Sequence, residues 1–134
     1  MMENYLFDAF PLLCWLQEEP GYKMVDDLLT EAEEGKTSIS IHIINLGEVF
    51  YRICRLIGKK QGEEIFGKIQ LLPIHVLSIS DEDVMEAAKI KATYPISYAD
   101  AFAVAKAIQN RTTVVTGDPE YKAVSKVIKI LWVK

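Results

Sequence analysis

Apolar residues recur along this chain in two rhythms, every second position and every third or fourth, and the rhythm switches repeatedly. Tyr5-Leu6-Phe7 is a short apolar run that stops at Asp8 and predicts a strand. Pro11 suits the first turn of a helix carrying Leu12, Leu13 and Leu16. After Pro20-Gly21, residues Met24, Val25, Leu28, Leu29 and Ala32 keep helical spacing until Gly35 closes the segment. Residues 37–41 alternate and predict a second strand. From Ile43 to Ile57, Leu46, Val49, Phe50, Ile53 and Leu56 return at three and four, which predicts a long amphipathic helix. A helix over residues 62–71 is stopped by Pro73, and residues 74–79 read as a third strand. Ser80-Asp81-Glu82-Asp83 opens a helix carrying Val84, Ala87, Ala88 and Ile90, which Pro95 ends. Ser97 opens an alanine-rich helix through Ile108. Residues 112–116 predict a fourth strand, bounded by Gly117-Asp118-Pro119, and residues 127–133 a fifth.

Strands alternating with helices predict an α/β fold of three layers: a parallel sheet, covered by helices on both faces, with right-handed crossovers. At 134 residues, with neither an internal repeat nor a linker, the expectation is a single domain over residues 1–134. Half the residues are apolar and a quarter charged, which excludes disordered and low-complexity classes. No apolar stretch approaches the roughly 18 residues of a membrane span. Glu3 and Asp8 stand where a signal peptide wants basic residues and then an uncharged core. Cys14 and Cys54 lie among apolar neighbours and read as buried reduced thiols of a cytoplasmic protein. The net charge of −4 excludes holding nucleic acid by bulk electrostatics, though not by a local basic strip. What needs explaining is where the acids are.

In a sheet of this kind ligands bind at the carboxyl ends of the strands. Asp8 and Asp118 lie at strand exits, while Glu48 and Asp100 lie near the starts of helices that follow strands, at that same edge. Each has a plain reading. Gly-Asp-Pro is a turn sequence, and Ser97-x-x-Asp100 resembles a capping box. Four carboxylates in one small volume are another matter, because their repulsion raises pKa values unless a cation neutralises them. Carboxylate oxygens without accompanying Cys or His select Mg²⁺ or Mn²⁺ over zinc. Such an ion suits phosphodiester hydrolysis by an in-line attack of water, with no covalent enzyme intermediate.

Four segments carry these acids: Leu6-Phe7-Asp8, Asn45-Leu46-Gly47-Glu48-Val49-Phe50-Tyr51, Ser97-Tyr98-Ala99-Asp100-Ala101 and Thr116-Gly117-Asp118-Pro119-Glu120-Tyr121. Together they resemble the four acidic motifs of PIN-domain ribonucleases, and their order in a chain of this length resembles the VapC-type toxins of prokaryotic toxin–antitoxin pairs. The resemblance implies a five-stranded parallel sheet and an endoribonuclease using one or two Mg²⁺ or Mn²⁺ ions. By position, Asp8 and Asp100 become direct metal ligands. Glu48 binds metal or activates water, and Asp118 acts directly or through water. Thr116 matches a hydroxyl that orients the site, Asn45 a supporting polar residue, and Ser97 the cap that holds Asp100. The resemblance further implies a homodimer, restrained by a small antitoxin protein that occludes the cleft. Many relatives carry Ser or Thr directly after the first acid, where this chain has Ala9-Phe10.

Glu48, Arg52, Arg55 and Lys59 are spaced four, three and four, so they share one helical face. That strip suits RNA phosphates flanking the scissile one; a solvated face with a Glu48–Arg52 pair is the plainer reading. His42 and His75 read as structural or solvent-edge histidines, Trp15 and Trp132 as core. Two other classes compete with the nuclease. A receiver-like phosphoacceptor needs an acceptor Asp at the third strand exit, where this chain has Ser78 and Ser80. A non-catalytic PIN-fold module that only binds RNA or protein has no need of an intact quartet.

Overall fold

Leu6 and Phe7 are adjacent and fully buried, yet they belong to different cores. In the computed structural model, which describes residues 2–134, they end strand β1 (Glu3–Phe7). Successive side chains of a strand face opposite sides of its sheet, so such an apolar pair requires cover on both. Val114 and Val115 do the same in β4 (Thr113–Thr116). β1 pairs in parallel with β4 on one side and with β2 (Thr37–His42) on the other. β3 (Ile74–Leu77) extends the sheet beyond β2, and β5 (Ile130–Trp132) beyond β4, giving the order β3-β2-β1-β4-β5. The five-stranded parallel sheet of the α/β reading is present.

Four helices cover one face: α1 (Ala9–Leu16), α2 (Tyr22–Glu33), α3 (Ile43–Ile57) and α4 (Lys59–Ile69). Their Leu12, Val25, Leu29, Val49, Ile53 and Ile69 join Phe7, Ile39, Ile41 and Val115 in a single cluster. Two helices cover the other: α5 (Asp81–Thr93) and α6 (Tyr98–Asn110). Ala101, Ala103 and Ala107 of α6 are buried there with Leu6, Val114 and Tyr121, small side chains that let helix and sheet approach closely. No helix among the described residues is long and apolar enough to cross a membrane.

The strand order matters most for function. The chain builds β1, β2 and β3 outward in one direction, then returns to lay β4 on the far side of β1. Connections on the two sides depart in opposite directions, and a crevice opens between the carboxyl ends of β1 and β4. Phe7 stands opposite Val115 in that pair, so Asp8 and Thr116 leave the sheet side by side.

Departures from the sequence reading have local causes. Gly62 sits inside α4 and does not begin it. A Cβ there would stand 2.6 Å from Cys54 Sγ and 3.2 Å from its Cα, so this glycine serves a close helix–helix approach. The break falls at Gly58, whose φ of 89° ends α3. Lys59 therefore lies on α4, and the basic face ends at Arg55. β3 stops at Leu77, and β5 covers only Ile130–Trp132, a 3₁₀ helix, Pro119–Val124, lying between it and β4. Cys14 is buried but Cys54 only half-buried. Trp15 and Trp132 are likewise half-buried, packed against the two cores, and Trp15 Nε1 donates to Asp26 at 3.0 Å.

His42 has partners that its sequence neighbours do not reveal. Its Nδ1 accepts the Ile44 N–H at 3.1 Å, capping α3, which places the proton on Nε2 to donate to Asp83 Oδ2 at 3.0 Å. Lys106 Nζ donates to Asp83 Oδ1 at 2.8 Å, so the carboxylate joins α3, α5 and α6. Burial alone would raise the Asp83 pKa, but hydrogen bonds from Lys106 and His42 and the Lys106 charge bring it down to about 2. A depressed carboxylate adds stability above its unfolded value, near 3.8, and that stability is lost as pH falls towards 2. Asp83→Asn leaves the half-buried Lys106 without its counter-charge. We expect it to cost roughly 3–5 kcal/mol in urea unfolding at pH 7, with a flatter acid limb.

Candidate active site

The crevice between β1 and β4 is lined by Asp8, Glu48, Asp100, Asp118 and Glu120, with Arg52, Ser97 and one side of α1, around a cavity of about 370 Å³. Each acid is held by the element that delivers it. Asp8 caps α1: its Oδ1 accepts the Phe10 N–H at 3.0 Å, and its Oδ2 accepts the Thr116 hydroxyl at 2.7 Å. Thr116 Oγ1 in turn accepts the Asp118 N–H at 3.1 Å, so one buried hydroxyl spaces two acids. Asp118 caps the 3₁₀ helix by accepting the Glu120 N–H at 2.9 Å. Asp100 lies in the first turn of α6, its N–H donating to the Ser97 hydroxyl at 3.2 Å, and its Oδ1 accepts the Tyr121 hydroxyl at 3.1 Å. Asn45, fully buried on α3, donates to the Ala99 carbonyl at 3.1 Å, one residue before Asp100. Glu48 faces the same cavity from α3, paired with Arg52 at 3.4 Å.

All four acids of the sequence reading thus meet in one place, and Thr116, Asn45 and Ser97 support them. The tightest group is a different subset. Oxygens of Asp100, Asp118 and Glu120 lie within 4.8 Å of one another. Glu120 had no part in the sequence reading. The only signal for it was its position two residues after Asp118, behind a proline that starts a 3₁₀ turn. Tyr121 likewise revealed its role only through burial against Asp100. Of the basic residues, Arg52 lines the cavity; Arg55 lies over the Tyr51 ring instead, 5.0 Å from its centroid.

Electrostatically the pocket is under-neutralised. Burial, then the nearby Asp100 and Asp118 charges, hold the Asp8 carboxyl well above the usual range, against the hydrogen bonds from Thr116 and Phe10. Asp100 is pushed up to about 7, by burial first, then by Glu120 and Asp118. Burial and the charges of Asp8 and Asp100 keep Tyr121 a phenol well above its ordinary value, so it remains a donor. A bound cation opposes the first two shifts, because it stabilises the carboxylates as anions against burial and mutual repulsion. The donor set is hard oxygen. Cys14, the one thiol in the lining, directs its Sγ to the Glu19 and Pro20 carbonyls at 3.7 and 3.5 Å. These residues fit a hard divalent cation. Larger depressions of about 560 and 510 Å³ lie at the amino edge of the sheet and along β5, and gather no comparable set of acids.

The receiver-like alternative finds no support in this geometry. β3 is an edge strand running into Leu77 and Ser78, and Asp83, the buried acid of the following helix, is committed to His42 and Lys106.

A doubly wound parallel sheet that collects buried carboxylates at its switch point defines the class: an α/β protein whose pocket suits a hard divalent ion. The PIN domain family model matches residues 5–127, and the chain belongs to the PIN domain family. Its fold is similar to that of DNA-bound VapBC from Salmonella typhimurium, with a TM-score of 0.74 and 17% identity over 100% of both chains. It is also similar to VapBC2 from Rickettsia felis bound to a promoter DNA fragment, with a TM-score of 0.72 and 16% identity over 98% of this chain and 99% of that one. VapC20 from Mycobacterium tuberculosis, a sarcin–ricin loop cleaving toxin, gives 0.71 and 14% identity over 90% of this chain and 94% of that one. No curated protein matches the sequence.

Proposed function

We propose that this chain is a divalent-metal-dependent endoribonuclease and the toxin half of a toxin–antitoxin pair, residues 1–134 acting as one catalytic unit in the cytoplasm. The observation that carries this reading is the convergence of Asp8, Glu48, Asp100 and Asp118, with Glu120, in one cavity at the switch point. PIN family membership and the fold shared with VapBC complexes and a sarcin–ricin loop cleaving toxin support it. One or two Mg²⁺ or Mn²⁺ ions supply positive charge against the phosphate and a more acidic water. Asp8 and Asp100 hold the ion, with Asp118 and Glu120 completing the oxygen set. Glu48 either adds a ligand or takes the proton of the attacking water. Thr116, Asn45 and Ser97 fix the orientation of Asp8, the start of α6 and Asp100 respectively. Arg52 contacts a neighbouring phosphate once it exchanges Glu48 for RNA. Arg55 and Lys59 contribute at most to the approach. The partners of this reading are RNA, a second copy of the chain, and a small antitoxin whose basic residue enters the acidic cleft.

The test is cleavage of single-stranded RNA by purified protein with EDTA, Mg²⁺ or Mn²⁺. Cleavage absent in EDTA and restored by either ion is the expected result. Equal cleavage in EDTA rejects the metal assignment, and no cleavage under any condition rejects the ribonuclease.

A further inference from the structure

The walls of the acidic cavity are chemically divided. Its floor carries the carboxylates of Asp8, Asp100, Asp118 and Glu120, whereas one wall is the face of α1 that presents Ala9, Phe10, Leu13 and Cys14, ending at Gln17. Leu13 and Cys14 are buried, but Phe10 is 36% exposed, an apolar ring standing beside a cluster of acids. Two features fix it there. Its own N–H donates to Asp8 Oδ1 at 3.0 Å, which ties the residue to the acid it flanks. Its ring lies against the backbone of Gly117, where any Cβ would collide with it, between Thr116 and Asp118. Position 117 is thus a cradle for an aromatic ring. Nothing in the carboxylate chemistry requires an exposed ring there.

A nucleotide has the same division, an anionic phosphate at one end and a flat π-face at the other. We propose that Phe10 is the stacking platform for an unpaired base of the RNA, adjacent to the phosphate held over the carboxylates. The Gln17 amide, which already donates to the Leu13 carbonyl at 3.2 Å, leaves its oxygen to meet the edge of that base. The cavity, about 370 Å³, is of the size that encloses a small organic group. Aromatic stacking is tolerant of base identity, so Phe10 would favour single-stranded over paired RNA more than it would select a sequence. The inference rests on the ribonuclease reading and specifies how its substrate is held.

Phe10→Ala, Phe10→Leu and Phe10→Trp should be compared on a single-stranded oligoribonucleotide carrying 2-aminopurine at successive positions. Binding is read by fluorescence quenching in Ca²⁺, and cleavage by kcat and KM in Mn²⁺. Stacking predicts quenching at one position beside the cleaved bond. It also predicts a KM raised roughly 10- to 100-fold in both the Ala and Leu variants, with kcat within about threefold. Phe10→Trp should retain quenching and KM. Leu keeps the apolar bulk and lacks the π-face, so a Leu variant equal to wild type reduces Phe10 to packing and overturns the proposal. Unchanged quenching in Phe10→Ala overturns it as well, even where cleavage proceeds and the ribonuclease reading stands. Phe10-dependent quenching without cleavage sustains the platform and sinks the nuclease.

Discussion

Asp100→Asn lowers RNA cleavage by at least roughly 10²-fold in kcat while leaving the metal-free protein folded and more heat-stable than wild type. The two effects have one origin. Asp100 is 7% exposed and stands with Asp118 and Glu120 around a volume that holds three carboxylate oxygens within 4.8 Å. As an anion there it is a ligand, and without a cation it is a source of strain. Asparagine keeps the size and can still accept from Tyr121, so packing is preserved and only the charge is lost. Asp8→Asn should behave alike. Its Oδ1 still caps the Phe10 N–H, and its amide can donate to Thr116 Oγ1, reversing a bond that now runs from the hydroxyl to Asp8. Glu120→Gln should cost less, since Glu120 lies in a short 3₁₀ helix and is half-buried. Paired rate measurements and thermal melts in EDTA check this. A variant that loses activity and stability together would mark these acids as structural.

The second large effect is a pH-dependent stabilisation by metal. A carboxylate whose folded pKa is raised contributes its stability fully below its unfolded value, near 3.8, and loses it as pH rises through the folded value, about 7 for Asp100. Asp8 is shifted in the same direction. In the metal-free protein Asp100 therefore costs stability as pH rises from about 4 to about 7, and Asp8 acts in the same direction. Metal binding must displace the protons these groups hold, so affinity rises with pH over that range. Saturating Mn²⁺ should raise Tm by roughly 5–10 °C at pH 8 and by only about 1–3 °C at pH 5.5. In Asp100→Asn both the pH slope and the metal effect should shrink. Equal stabilisation by Mn²⁺ at the two pH values would contradict this assignment of the shifts.

How much of this was legible in the letters depended on whether the signal was local. Leu6-Phe7-Asp8 announces a strand with cover on both faces and an acid at its exit, because period and polarity are carried by adjacent residues. Ser97 and Asp100 announce a capped helix start for the same reason. The quartet could be read as one site because parallel strands and the helices after them present their ends at a single edge. Glu120 could not, since joining Asp100 requires a 3₁₀ turn that no periodicity marks. Nor could the role of Phe10, which depends on Gly117, 107 positions away, leaving room for a ring. The role of His42 is not local either: its partner Asp83 comes from α5, and that carboxylate is shared with Lys106 of α6. Four-three-four spacing carries Lys59 onto the face of α3, but the chain turns at Gly58 and Lys59 begins α4.

The account stands on one placement: a hard divalent ion held between the ends of β1 and β4. Crystals soaked in Mn²⁺ and measured at the manganese absorption edge would locate it by anomalous scattering. The account predicts a peak in the cavity at about 2.0–2.3 Å from carboxylate oxygens of Asp8, Asp100 or Asp118, and its disappearance in Asp100→Asn. Manganese bound only elsewhere on the molecule, in a protein that still cleaves RNA, would contradict it.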